Sequence, residues 1–209
     1  MLDALVRPLI DPPLNAAGRR LARTGLTADA VTLAGLALGL SAAALIALGF
    51  PGLALLPLLM NRLADGLDGA VARASSPTSL GGFHDIIADF AFYGAIPLGF
   101  VALDPAANGL AGAALLASFY VNGGSFLGFA ILAERHGMQT AAQGRKTLYY
   151  SGGLLEGAET IAFFSVICLL PAAFTPLALG FAALCILTAV LRVRAARRLF
   201  APRSGTPAE

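Results

Sequence analysis

The sequence predicts an all-α polytopic membrane protein: six transmembrane helices preceded by an N-terminal amphipathic interfacial helix. Three observations carry this reading. Of the 209 residues, 57% are hydrophobic and 12% charged, with a mean hydropathy of +0.78, whereas a soluble domain carries roughly 25% charged residues. A run over residues 30–50 contains no charge at all, and a bilayer crossing needs about 20 apolar residues. The Lys and Arg residues fall in clusters separated by connections that have none. An ordinary cytosolic globule is excluded, and a net charge of +2 carries no footprint of a nucleic-acid partner.

Residues 1–25 mix Leu5, Val6, Leu9 and Ile10 with Asp3, Asp11, Pro12, Pro13, Arg19, Arg20 and Arg23, and lack a continuous apolar core. This is not the pattern of a signal peptide. It fits a cytoplasmic juxtamembrane segment lying in the interface with its arginines toward lipid headgroups. Thr27 and Asp29 supply N-cap chemistry ahead of the first span, residues 30–50. Pro51 and Gly52 then break the chain.

A second apolar run begins at Leu53 and meets Asn61, Arg62, Asp65 and Asp68 before it is long enough to cross, so length forces these polar groups into the embedded part. Residues 74–79 read as a tight polar loop. The third span, 81–103, carries Asp85 and Asp89 and closes at Asp104-Pro105. The fourth, 107–133, exceeds the needed length and is expected to tilt. A fifth, 148–170, is interrupted by Glu156 and Glu159, and a sixth covers 174–191. The spans form one domain over 26–200, and 201–209 is a short polar tail expected to be disordered. Cys168 and Cys185 lie inside apolar stretches and read as small buried hydrophobes.

Charge placement sets the expected orientation. With a cytoplasmic N-terminus, Arg7, Arg19, Arg20, Arg23, Arg73, Arg135, Arg145, Lys146, Arg192, Arg194, Arg197, Arg198 and Arg203 all fall on the cytoplasmic side. Arg62, inside the second span, is the only other basic residue, and the opposite loops 51–52, 104–108 and 171–175 have none. Dropping one crossing would place a basic cluster outside. The expected location is a bacterial inner (plasma) membrane, with both termini in the cytoplasm.

The acids inside the spans need compensation. A charged side chain at bilayer depth costs about 2.5–3.5 kcal/mol, so Asp65, Asp68, Asp85 and Asp89 left unpaired would cost on the order of 10 kcal/mol. Asp65 and Asp68 are spaced i, i+3, and Asp85 and Asp89 i, i+4, so each pair shares a helix face. The two helices are consecutive and antiparallel, which brings both pairs to one depth. Two divalent ions with oxygen ligands, Mg²⁺ or Mn²⁺, would balance four carboxylates. The competing reading pairs the acids with Arg62 and Arg73, but two arginines leave two acids unmatched and buried ion pairs are weak stabilisers. Gly66, Gly69, Gly81 and Gly82 either let helices approach or clear room for a bulky phosphorylated ligand.

These residues spell Asp65-x2-Asp68-Gly69-x2-Ala72-Arg73, then seven residues, then Gly81-x3-Asp85-x3-Asp89. The pattern resembles the signature of the CDP-alcohol phosphotransferases, integral membrane enzymes that make phospholipids. The segment Thr27 to Thr32 is similar to the family's opening of the first span, with Ala28-Asp29 in place of the more usual Pro-Asn. The resemblance implies metal ligation by Asp65, Asp68 and Asp85, with Asp89 completing the site and acting as the base toward the acceptor hydroxyl. It implies that Gly69, Ala72, Arg73 and Gly81 surround the cytidine diphosphate. It further implies a phosphatidyl transfer from CDP-diacylglycerol to a small alcohol with release of CMP, two Mg²⁺ or Mn²⁺ ions, and a homodimer.

Family members with phosphorylated acceptors use basic residues near the positions of Arg135, His136, Arg145 and Lys146; ordinary positive-inside topology is the competing explanation. Glu156 lies ten positions beyond Lys146, about 15 Å along a helix, near the depth expected of Asp89. It would bind acceptor hydroxyls or an amine, or pair with Arg62. Glycerol 3-phosphate is the first-choice acceptor, with inositol phosphate, serine, choline or another lipid as alternatives. His84 precedes a ligand position but points elsewhere on the helix. A cation or proton transporter would also explain buried acids, yet gives no reason for glycines, Ala72 and Arg73 at these offsets. A membrane prenyltransferase usually shows two separated boxes with adjacent aspartates, unlike the single block here.

Overall fold

The computed structural model describes residues 2–137, 155 and 157–201, and among them all regular structure is helical. The chain forms α1 (Leu2–Arg23), α2 (Ala28–Ala47), α3 (Pro51–Ala74), α4 (Ser79–Leu103), α5 (Pro105–Arg135), α6 (Gly157–Leu169), a 3-10 turn at Pro171–Ala173, and α7 (Phe174–Phe200). Arg145, Lys146, Glu156 and the tail from residue 202 lie outside the described residues.

Local chemistry sets the helix ends. Thr27 caps α2 by accepting a hydrogen bond from the Ala30 amide at 3.2 Å, Thr78 caps α4 through the Gly81 amide at 3.0 Å, and Asp104 caps α5 through Ala107 at 3.0 Å. At the end of α2 the Phe50 amide returns to the Leu45 carbonyl at 2.9 Å and Gly49 to Ile46 at 3.0 Å, with Gly49 at φ 91°. This left-handed glycine closure, followed by Pro51 at the start of α3, reverses the chain in three residues. It makes α2 and α3 antiparallel neighbours.

Among the described residues, four helical segments are long and apolar enough to cross a membrane: α2, α4, α5 and Pro171–Phe200. The six crossings expected above are not confirmed on this measure, and part of the fifth expected span lies outside the described residues. The 24 residues of α3 reach about 36 Å at 1.5 Å per residue, but Arg62, Asp65, Asp68 and Arg73 lower its apolarity. The 13 described residues of α6 fall short of a crossing. Large apolar side chains face outward along the bundle, among them Leu33, Leu53, Leu56 and Leu110, the last 84% exposed. That inversion of the usual soluble surface is what a lipid solvent requires.

The larger core cluster joins α2 to α7 and reaches the aspartate region at Phe92, and a smaller one, Val31, Ala64 and Val71, lies beside the aspartates of α3. Phe100 stacks on Phe174 with ring centroids 4.6 Å apart, Phe163 on Phe181 at 4.1 Å, and Cys168 and Cys185 are buried free thiols in the larger cluster. Small residues decide how closely the helices approach. A Cβ at Gly99 would fall 2.7 Å from the Ala43 carbonyl oxygen, and one at Gly35 would fall 2.9 Å from the Ala64 Cβ. Such contacts draw α2 against both α3 and α4, so the acids of those two helices are backed by α2.

Candidate metal and nucleotide site

The site is built on the facing surfaces of α3 and α4. One carboxylate oxygen each from Asp65, Asp68 and Asp85 lies within 4.8 Å of the others. Asp68 is the most enclosed, 6% exposed, and its Oδ2 accepts a hydrogen bond from Thr32 Oγ1 on α2 at 2.6 Å. Thr32 thus orients one carboxylate without supplying charge.

Arg62 provides charge from within the same helix. Its Nη1 donates to Asp89 Oδ1 at 2.9 Å, and its Nη2 donates to Asp65 Oδ2. The guanidinium lies 5.8 Å from the Phe92 ring centroid and 5.9 Å from that of Tyr93, geometry in which an aromatic face offsets part of the cost of burying a cation. Asp89 therefore faces Arg62, while Asp68 and Asp85 make no ion pair among the described residues. One cation against four acids leaves an excess of negative charge that a bilayer interior does not tolerate.

Asn61 lines the same cleft together with Thr32, Gly35, Asp65, Asp68, Asp85 and Asp89. Its Nδ2 donates to the Gly35 carbonyl at 2.8 Å, which fixes the amide orientation, and its Oδ1 is buried with no hydrogen-bond partner among the described residues. A buried unpaired acceptor costs about 1–3 kcal/mol. The donor set is thus three carboxylates, hard ligands of the kind Mg²⁺ and Mn²⁺ take, in a cleft that Asn61 also lines. The residues present fit a divalent ion.

The neighbouring positions divide by role. Arg73, exposed at the end of α3, pairs with none of the aspartates; its Nη2 and Nε donate to Asn15 Oδ1 on α1 at 2.9 and 3.3 Å. The competing salt-bridge scheme is therefore realised by Arg62 and not by Arg73. A Cβ at Gly69 would meet Arg73 Nη1 at 3.2 Å, and one at Gly81 would meet Thr78 Oγ1 at 3.1 Å and Asp29 Oδ1 at 3.3 Å. Gly66 is a packing glycine, since a Cβ there would fall 2.9 Å from Leu14 Cδ1 of α1, whereas Gly82 faces open space. Ala72 is half-buried on the same turn as Arg73.

His84 turns away from the cluster, its Nδ1 3.5 Å from Asp29 Oδ2. Arg135 is exposed in the last turn of α5, and His136 beside it packs on Phe200 at 4.9 Å. Sequence reasoning did not single out Thr32, Asn61 or Asn15 for the site. Thr32 and Asn61 had a visible signal, each being a hydrogen-bonding side chain in an otherwise apolar run. Asn15 had none, because its partner lies 58 positions away.

Carboxylates converge here from two consecutive helices, with glycine, alanine and arginine at set offsets, and the comparison with known proteins gives the class, a membrane transferase. The chain belongs to the CDP-alcohol phosphatidyltransferase family, whose model matches residues 25–193. It is 47% identical over 193 residues to the Inner membrane protein YnjF of Escherichia coli (strain K12), covering 92% of this chain and 94% of that one. In fold it is similar to Mycobacterium tuberculosis phosphatidylinositol phosphate synthase with CDP-DAG bound, with a TM-score of 0.69 and 22% identity over 94% of this chain and 98% of that one. The same synthase in complex with manganese and citrate gives a TM-score of 0.62 and 21% identity, over 94% and 95% of the two chains.

Proposed function

We propose that this membrane transferase moves the phosphatidyl group of CDP-diacylglycerol to a small alcohol acceptor and releases CMP at the α3–α4 aspartate site. The observation that carries the reading is the convergence of Asp65, Asp68 and Asp85 within 4.8 Å, in a chain whose family matches from residue 25 to 193. CDP-DAG in one fold neighbour and manganese in another support a liponucleotide donor and a divalent cation.

In this reading Asp65, Asp68 and Asp85 hold the metal, with Asp89 beside them, and two ions fit the count of four acids. The bound cations would supply charge stabilisation for the diphosphate and the departing CMP. Gly69, Ala72 and Gly81 leave room for the cytidine diphosphate, and Arg73 contributes positive charge to it. Asp89 takes the proton of the acceptor hydroxyl, whose oxygen forms the new bond to the phosphorus attached to diacylglycerol as the bond to the CMP oxygen breaks. No covalent enzyme intermediate is required. Arg62 holds the Asp89 carboxylate in place by its 2.9 Å bond.

The charge distribution supports α2 to α7 as six crossings with α1 in the cytoplasmic interface, both termini and the site on the cytoplasmic side, and an inner-membrane location like that in the relative's name. A homodimer follows from the family resemblance. For the acceptor we infer a phosphorylated alcohol, glycerol 3-phosphate first, with Arg135, Arg145 and Lys146 contributing charge and Glu156 binding hydroxyls. The test is CMP release by purified protein with CDP-diacylglycerol and Mg²⁺ or Mn²⁺, against glycerol 3-phosphate, inositol phosphate, serine and choline. Release with glycerol 3-phosphate supports the full reading, release with another acceptor corrects only the acceptor, and silence with every one overturns the enzyme.

A further inference from the structure

Among the described residues, the N-terminal helix meets α3 through a polar contact between Asn15 and Arg73. Asn15 Oδ1 on α1 accepts from Arg73 Nη2 at 2.9 Å and from Nε at 3.3 Å. The crossing beneath it is tight: a Cβ at Gly18 would lie 2.6 Å from the carbonyl carbon of Ala70, and one at Gly66 would lie 2.9 Å from Leu14 Cδ1. Asn15 stands one helical turn from Gly18, so this close approach sets it over the last turns of α3. On the far edge of the guanidinium, the missing side chain of Gly69 leaves space beside Nη1, only 3.2 Å from where a Cβ would be.

The chemistry of the partner matters. A carboxylate in place of Asn15 would bind the guanidinium more strongly, but it would also cancel its charge. The amide oxygen fixes the plane of the group and leaves the charge in place, and no acid pairs with Arg73 among the described residues. An oriented guanidinium on an exposed residue, with no hydrogen bond from Nη1 among the described residues, is an anion-binding group. We propose that Asn15 is a positioning residue for the donor site, holding Arg73 toward the diphosphate so that α1 acts as part of the nucleotide pocket. The proposal rests on the reading of Arg73 as a nucleotide contact.

The experiment titrates CDP into Mg²⁺-loaded, detergent-purified protein by calorimetry and follows thermal melting in parallel. Loss of a hydrogen bond to a charged group weakens binding about 10- to 100-fold, which is the expectation for Arg73→Ala. Asn15→Ala loses orientation only and should weaken CDP about 3- to 10-fold on the same scale. Asn15→Asp keeps the contact and adds the opposing charge, so it should melt no lower than the parent yet bind CDP at least as poorly as Asn15→Ala. A purely structural tie predicts the reverse: Asn15→Asp binding CDP like the parent, with Arg73→Ala impaired, overturns the proposal. Unchanged CDP binding by Arg73→Ala overturns instead the nucleotide reading beneath it. Should Asn15→Ala not fold, the aspartate variant decides alone.

Discussion

Arg62 on α3 donates from Nη1 to Asp89 Oδ1 on α4 at 2.9 Å, and the same guanidinium holds Asp65 of its own helix. The one guanidinium is thereby shared between two acids from neighbouring helices, while Asp68 and Asp85 make no ion pair among the described residues. The first prediction concerns Asp89. Asp89→Asn keeps an acceptor for Arg62 but removes the base, so turnover should fall about 10²- to 10⁴-fold, the usual contribution of general acid–base catalysis. Manganese binding followed by electron paramagnetic resonance should fall much less than in Asp68→Asn. Equal losses of metal in the two variants would make Asp89 a ligand before it is a base.

Asp68→Asn removes a ligand charge and little volume. Turnover should be abolished while the protein still inserts and purifies, and activity near the parental level would refute the metal assignment. Its support from Thr32 predicts a smaller, graded effect: Thr32→Val loses the 2.6 Å bond and should lose about 10- to 100-fold in metal affinity or activity, as partners of metal ligands do. Thr32→Ser should restore most of it.

Chelation should remove activity, and Mg²⁺ or Mn²⁺ should return it while Ca²⁺ serves poorly, since the smaller ions suit a compact carboxylate set. A chelated enzyme that still releases CMP would separate the acids from metal binding altogether.

Helix approach is tested at the glycines. Gly99→Leu places a side chain where a Cβ already meets the Ala43 carbonyl at 2.7 Å, and overpacking of this kind costs about 1–3 kcal/mol. Its melting temperature in detergent should drop clearly, whereas Gly82→Ala, which faces open space, should melt like the parent. Similar melting of both variants would mean the bundle tolerates a wider α2–α4 crossing.

On the acceptor side, Arg145→Ala and Glu156→Gln should each raise the acceptor KM with a smaller change in kcat, the signature of lost ground-state binding. An unchanged KM in both places the acceptor pocket elsewhere.

Much of this molecule is legible in residue order because its information is local. The apolar runs at residues 30–50 and 81–103 meet the length of a bilayer, the caps Thr27, Thr78 and Asp104 are written beside the helices they start, and the i, i+3 and i, i+4 spacings put Asp65 with Asp68 and Asp85 with Asp89 on shared faces. Helical periodicity and the polarity of the solvent suffice for those. Partnership between distant residues is different, because it depends on how closely two helices cross and at what rotation. The i, i+3 spacing allows Arg62 to meet Asp65, but nothing local tells that the same guanidinium reaches Asp89 from 27 positions away, that Thr32 supports Asp68 from 36, or that Asn15 meets Arg73 from 58. Those contacts follow from glycines such as Gly18 and Gly35, whose missing side chains let backbones close to distances that only the packed bundle sets.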